Sequence, residues 1–466
     1  MKGFVIGAAG SSSGKTTASI ALLSWLAAKG YKVAPFKVGP DFIDPGHHTK
    51  VSGRQSYNLD SWMLNKDYNR QLFFSKTEDA DMAVVEGVMG LFDGYDGLSE
   101  AGSTAQMAKW LNLPVVLVVS ARGMARSAAA LVKGFETFDK DLNIAGVIFT
   151  KTGSPRHYDY LKTAVEDACN VKVLGHLPRD ERIRMPERHL GLVTADELTI
   201  EPGVLQLLTA TVDQHLDMAA LVSCLPDMDI PDKIQSTAQA AQGRGPLLAV
   251  ARDRAFCFYY PDNIEILKNC GAEIVEFSPL EQDALPENID GIYFGGGYPE
   301  LYADSLSKKT HLLRQVYDYS QKGMPIYGEC GGFMFLCREL SGMESDDRYA
   351  MTGCFDFSAT MSKRLRSLGY RQITLTRDTI IGKKGDLLRG HEFHYSSLEN
   401  PENSDNGVYQ VATRAGQDIF LKGYQKHNTL GSYLHVHFGS NPESARCFVD
   451  VCRNFRFKRQ SWRPRP

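Results

Sequence analysis

The nine cysteines of this 466-residue chain form no CxxC pair, and their number is odd. That usage excludes a disulfide framework and a paired-cysteine zinc site, and it fits a reducing, cytoplasmic setting. Long apolar runs are also lacking. The longest, such as Leu113–Val119, fall far short of the roughly 18–20 residues that span a bilayer. The start, Met1–Gly10, runs into a glycine-containing loop with no signal-type cleavage region, so neither export nor a membrane anchor is expected. Charge of one sign is missing too. Lys plus Arg number 52 against 55 Asp plus Glu, which leaves no overall basic field for a nucleic-acid backbone. The basic stretch Arg453–Arg465, with Lys458, is read as a solvated chain end. There is no internal repeat and no low-complexity tract.

What is present is the composition of a soluble globular protein, 43% hydrophobic and 23% charged, at a length that calls for two or three domains. Short β-branched runs recur between helical stretches: Phe4–Ile6, Lys32–Phe36, Met82–Val85, Val115–Val119, Ala145–Phe149 and Val171–Leu174. Strands alternating with helices predict an α/β fold with a parallel sheet. The pattern breaks at Leu225–Pro246, which contains Pro226, Pro231 and Gly243-Arg244-Gly245, and resumes at Leu247–Ala251, Glu273–Phe277, Gly291–Phe294 and Met324–Tyr327. The expected organisation is therefore a domain over 1–224, a linker over 225–246 and a second α/β domain over 247–466.

Strand Phe4–Ile6 leads into a loop rich in small residues and then a helix with Ile20, Leu23, Leu26 and Ala27 on one face, stopped by Gly30. The order strand, loop, helix is the one a phosphate-binding loop needs. Gly10, Ser11, Ser12, Ser13, Gly14, Lys15, Thr16 and Thr17 supply backbone N–H groups for phosphate oxygens. Lys15 adds the balancing charge, and Thr16 a hydroxyl for magnesium. The first glycine of the GxxxxGK[ST] pattern falls on Ala9, with Gly10 one position later. Magnesium bound with ATP also wants carboxylates at neighbouring strand ends. Glu86, after the run Met82–Val85, is the strongest choice, and Asp41 and Asp44 follow the second strand. Asp41 is assigned to the metal and Asp44 to the substrate. A turn-capping role is the plain alternative for both.

In the second half, strand Met324–Tyr327 runs into Gly328-Glu329-Cys330-Gly331-Gly332, the form of a nucleophile elbow with sulfur in place of oxygen. Small neighbours permit the sharp turn, and a helix N-terminus favours the thiolate. His435 or His437 can serve as base. The strand ending at Gly295-Gly296-Gly297 offers the N–H groups of Gly296 and Gly297, which with that of Gly331 suit an oxyanion hole. The other eight cysteines are read as core residues.

Across essentially its whole length the chain resembles the cobyrinic acid a,c-diamide synthase family. The likeness is carried by KVGPDFIDP (Lys37–Pro45), Asn58–Met63, EGVMGLFDG (Glu86–Gly94), GGGYPE (Gly295–Glu300), GECGG (Gly328–Gly332), RGHEFHYS (Arg389–Ser396) and Ser432–Phe438. It implies a dethiobiotin-synthetase-like P-loop domain followed by a class I glutamine amidotransferase domain. It also implies a reaction in which ATP forms an acyl phosphate on the a and c acetates of a corrin-type macrocycle and ammonia from L-glutamine displaces the phosphate. By the same likeness His435 is the catalytic histidine, and Arg389, His391, Glu392 and Tyr395 bear on the macrocycle. His437 stands where ordinary class I relatives carry a glutamate, so a Cys330–His435 dyad oriented by another group is expected. Thr150-Lys151-Thr152 stands where relatives often have a base-reading asparagine. The same motifs would serve Ni-sirohydrochlorin, hydrogenobyrinic acid or sirohaem. A P-loop regulatory ATPase with an inactive amidotransferase domain is the reading from another class.

Overall fold

The continuous apolar runs of the first half become parallel strands buried on both faces. The computed structural model describes residues 1–183, 202–228, 244–342, 347–399, 407–419 and 423–461. It divides into two compact units, Met1–Gln235 and Ser236–Pro466.

The strands of the first unit are β1 (Lys2–Ala8), β2 (Val33–Val38), β3 (Tyr57–Leu59), β4 (Met82–Glu86), β5 (Val115–Ser120), β6 (Ile144–Thr152) and β7 (Val173–Pro178). They form one sheet in the order β3-β2-β4-β1-β5-β6-β7, every pairing parallel. Successive side chains feed opposite cores: Val5, Ala83, Val85 and Leu117 enter one cluster, and Phe4, Ile6, Val84 and Val118 the other. Two covered faces explain why these strands read as unbroken apolar runs. β1 lies at the centre, between β4 and β5, so the loop after it opens where an α/β sheet holds its ligands.

The helix Lys15–Ala28 departs from the one-sided pattern expected of it. Ala18 through Ser24 are all buried, because the helix Pro202–His215 covers a second face, with Ser24 Oγ 2.9 Å from Thr209 Oγ1 and Trp25 Nε1 donating to Asp213 at 2.7 Å. Gly30, at φ 85°, ends the helix region in the left-handed conformation. Of the stretch read as a linker, residues 229–243 lie outside the described residues. Leu225 is buried in the first unit, and the Met228 N–H donates to the Met1 carbonyl at 2.8 Å.

The second unit opens with β8 (Leu247–Ala251), β9 (Glu273–Phe277), β10 (Gly291–Phe294) and β11 (Ile326–Glu329). β11 starts two residues later than the sequence pattern suggests, after Pro325, which has no N–H to give a ladder. With Thr429–Ser432 and the antiparallel edge strand Gly423–Lys426 these make a six-stranded sheet. Two further sheets follow. One is the antiparallel set Asp418–Ile419, Tyr409–Thr413, Ser367–Leu375, Leu387–His394 and Leu434–Val436.

The basic stretch near the chain end is not simply solvated. It continues the helix Pro442–Ser461, where Arg456 donates to the Arg244 carbonyl at 2.9 Å and Arg459 to those of Asn288 and Ile289, with Asp290 2.9 Å away. Residues 462–466 lie outside the described residues. Among the described residues no helix is long and apolar enough to cross a membrane.

Candidate active site

The loop after β1 bends through two left-handed residues, Ser12 at φ 59° and Gly14 at φ 91°. A Cβ on Gly14 would also approach the Thr150 side chain to 3.3 Å. The loop is held from β6: Thr150 Oγ1 donates to the Ser13 carbonyl at 2.6 Å and Lys151 Nζ to that of Ser12 at 2.8 Å. Thr150-Lys151 thus serves the phosphate loop itself. Ser11, Ser12, Gly14, Lys15, Thr16 and Thr17 line a cleft of about 790 Å³ together with Asp41, Asp44 and Glu86. Gly10 has open space where a Cβ would stand, so no close contact demands glycine there. Burial and the neighbouring Lys37 hold the Lys15 ammonium below the usual lysine range, and its Nζ rests on the Met89 carbonyl.

Glu86 ends β4 beside Ile6 of β1, which puts its carboxylate at the mouth of the phosphate loop. Its Oε1 accepts from Thr16 Oγ1 at 3.1 Å and from Lys37 Nζ at 2.9 Å, and its Oε2 lies 2.7 Å from His48 Nε2. Burial acts to raise Glu86, yet Lys37 and then the His48 hydrogen bond keep it below the ordinary carboxylate range. Lys37 is buried in turn. Asp44, at 2.6 Å, and Glu86 drive it above the usual lysine range against the effect of burial. Asp44 is therefore enclosed in an ion pair. Asp41 closes the turn that enters the helix Ile43–Ser52, its Oδ1 accepting from the Ile43 N–H at 2.8 Å, while lining the same cleft. Among the described residues no group of three metal-ligating side chains occurs. Thr16 and Glu86 fit a magnesium ion that takes its remaining oxygens from phosphate and water.

In the second unit Cys330 follows β11 at φ 49°, ψ −106°, a conformation that an L-residue adopts only under constraint. The constraint is visible: the Cys330 N–H donates to the Ser432 carbonyl at 2.7 Å, and the Gly332 N–H to that of Gly295 at 3.0 Å. A Cβ on Gly331 would lie 3.0 Å from Gly297 N and 2.7 Å from Pro299 Cδ, so the glycine strand end and the elbow touch backbone to backbone. A Cβ on Gly296 would meet His435 Cε1 at 2.3 Å. Cys330, His435 and the Gly295–Gly297 backbone are thereby gathered at one place. Burial and then Glu300 push the thiol above the usual cysteine range, with the Gly331 N–H opposing them. A thiol so held needs a base to become a nucleophile.

His435 is enclosed on the strand Leu434–Val436, opposite His391 in register, and the two rings stack at 4.8 Å and 16°. Glu329 Oε2 lies 3.8 Å from His435 Nδ1. That carboxylate is itself held by the hydroxyls of Tyr293 at 3.0 Å and Tyr327 at 2.7 Å, and by the Val436 N–H at 3.1 Å. His437 is buried differently: its Nδ1 accepts from the Gly439 N–H at 3.1 Å, and burial pushes it down to about 3.

Residues 4–193 match the CobQ/CobB/MinD/ParA nucleotide binding domain, and residues 248–443 the CobB/CobQ-like glutamine amidotransferase domain. The chain is 43% identical over 451 residues to the cobyrinate a,c-diamide synthase of Syntrophotalea carbinolica, across 96% of this chain and 98% of that protein. Against the synthase of the same name from Caldanaerobacter subterraneus subsp. tengcongensis the identity is 40% over 452 residues, covering 97% and 98%. The chain belongs to the cobyrinate a,c-diamide synthase family. It is a glutamine-dependent amidating ligase with a nucleotide-binding domain.

The partnerships of several residues of this synthase-family chain escape a reading of motifs, even where the residue lies within one. Lys37 is a lysine in an otherwise apolar strand, which is itself a signal of a buried ion pair. Glu329 stands beside the nucleophile, and only the fold brings it to His435. His48 gives no signal in the sequence. The RGHEFHYS segment also separates. His391 reaches His435, whereas Glu392 is fully buried in bonds to Ser367 at 2.7 Å, Arg371 at 2.9 Å and His394 at 2.9 Å. Arg389 is exposed and Tyr395 half-buried against Phe393. Asp44 lies in the other unit. Since a Cβ on Gly296 would displace the His435 ring, Gly296→Ala is expected to lower glutamine-dependent turnover about 100-fold. Glutamate release measures this, and a fall of less than about threefold would remove Gly296 from the positioning of His435.

Proposed function

We propose that this chain amidates the a and c acetate side chains of cobyrinic acid, using ATP and L-glutamine, in cobalamin biosynthesis in the cytoplasm. The observation that carries the reading is the occurrence, in one chain, of the phosphate loop with Glu86 beside Thr16 and of the Cys330 elbow beside His435. Likeness to the synthases of this name over nearly the full length supports the macrocycle assigned.

The residues divide the work. Residues 10–17 wrap the phosphates through backbone N–H groups, and Lys15 balances charge on the transferred phosphoryl group. Thr16, Glu86 and Asp41 would hold magnesium, which when bound shares and neutralises phosphate oxygens. Lys37 keeps Glu86 and Asp44 ionised and oriented. Asp44, Arg389, His391 and Tyr395 are assigned to the substrate, with Glu392 supporting the strand that carries them. A carboxylate oxygen is a poor leaving group until phosphorylated, so the γ-phosphoryl group passes to the acetate and ammonia then displaces phosphate. His435 takes the Cys330 proton as the sulfur attacks the glutamine amide carbon, returns it to the amide nitrogen so that the C–N bond breaks and ammonia leaves, and water then hydrolyses the γ-glutamyl thioester to glutamate and the free thiol. The N–H groups of Gly296, Gly297 and Gly331 receive the developing oxyanion. Glu329 and His391 orient His435.

Mass spectrometry of cobyrinic acid incubated with the protein, ATP, magnesium and glutamine tests the reading. The a,c-diamide is expected. Amidation of Ni-sirohydrochlorin, hydrogenobyrinic acid or sirohaem in its place would move the substrate and keep the chemistry, and glutamine hydrolysis by none of these mixtures would favour a regulatory ATPase. Glu86→Gln and Asp41→Asn are expected to raise the magnesium needed for half-maximal rate about 10–100-fold. Full activity of both variants at limiting magnesium would place the metal elsewhere.

A further inference from the structure

Three glutamates stand close enough to Cys330 to act on its thiol: Glu300, Glu392 and Glu329. Two of them are satisfied within the fold. Glu329 takes the hydroxyls of Tyr293 and Tyr327 and the Val436 N–H, and Glu392 takes Ser367, Arg371 and His394.

Glu300 differs. It lies in the short turn Pro299–Tyr302, directly after the glycine strand end, and Pro299 borders the position where a Gly331 Cβ would stand, at 2.7 Å. Its Oε2 is closed off from solvent and accepts no hydrogen bond. No cation among the described residues acts on it. Burial pushes its carboxyl up to about 7, opposed only by its own backbone N–H. It has the largest electrostatic effect on Cys330 of the three. A carboxylate enclosed to stabilise the scaffold would be paired, as its two neighbours are, because an uncompensated buried charge is costly. A carboxylate awaiting a cationic ligand looks like Glu300.

We infer that Glu300 receives the α-ammonium group of the glutamine donor, an assignment that rests on the reading of Cys330 as the glutamine nucleophile. The donor amide is attacked at the far end of the same molecule, so an anion beside the elbow reads the one positive charge that distinguishes free glutamine from an ordinary amide. Binding then supplies the missing partner, and an amide lacking the ammonium leaves Glu300 unpaired, which is how a buried polar group rejects an analogue.

The test compares kcat/KM for amide hydrolysis by the full chain on L-glutamine and on glutaramate, the same molecule without the α-amino group. The wild type is expected to prefer glutamine by about 1000-fold, and Glu300→Gln to reduce that ratio about 100-fold, mainly through KM for glutamine. Glu300→Asp, which keeps the charge, is expected to give an intermediate ratio. A wild type without preference, a Glu300→Gln protein with the wild-type ratio, or a Glu300→Asp ratio as low as that of Glu300→Gln would overturn the assignment. Glutamine hydrolysis that persists in Cys330→Ala would instead overturn the underlying reading of the nucleophile.

Discussion

Replacing Cys330 with Ser is expected to lower glutamine-dependent amidation by about 10⁴-fold or more while synthesis from added ammonia stays within about twofold of wild type. The oxygen of serine would occupy the same constrained elbow, at φ 49°, beside the same histidine, so the change is one of nucleophile and not of position. Burial already holds the thiol above its ordinary range, and a hydroxyl is far harder to deprotonate. In the proposed division of work the substrate carboxylate is activated at the phosphate loop of the first unit, which this change leaves untouched. Glutamate release follows one half-reaction, and ADP formation with product mass follows the other. Loss of ammonia-dependent synthesis in a folded Cys330→Ser protein would contradict a cysteine confined to glutamine hydrolysis.

Lys15→Ala is expected to remove about 10²–10³-fold of the rate with either nitrogen source, because the charge on the transferring phosphoryl group has lost its counter-ion. Lys37 cannot replace it, since its ammonium is committed to Asp44 and Glu86 at 2.6 and 2.9 Å. The two variants therefore differ in kind: ammonia should rescue the cysteine variant and leave the lysine variant as slow as it is with glutamine. Wild-type ADP formation by Lys15→Ala would remove this loop from phosphate binding.

Much of this architecture is legible in the sequence because it depends on local chemistry. The run Met82–Val85 is apolar because both faces of β4 are covered, and Gly328-Glu329-Cys330-Gly331-Gly332 can turn sharply because its neighbours are small. Partnerships between distant segments are not legible. Nothing near residue 329 says that its carboxylate will stand 3.8 Å from a histidine at 435, and nothing near residue 48 announces a contact with Glu86. The helix Lys15–Ala28 misleads for a related reason, since burial by a second helix erases the one-sided pattern that a surface helix shows. Near Arg456 and Arg459 composition points to solvent, but the carbonyls that these side chains reach belong to residues far earlier in the chain.

The bond from the Cys330 N–H to the Ser432 carbonyl also orders events during synthesis. The elbow leaves the ribosome first. The strand Thr429–Ser432, which pairs in parallel with β11 and holds that elbow in its bend, follows about a hundred residues later, with His435 directly behind it. Without that strand the Cys330 N–H has no Ser432 carbonyl to donate to. The bend at Cys330 thus waits on a strand that lies about a hundred residues further along the chain.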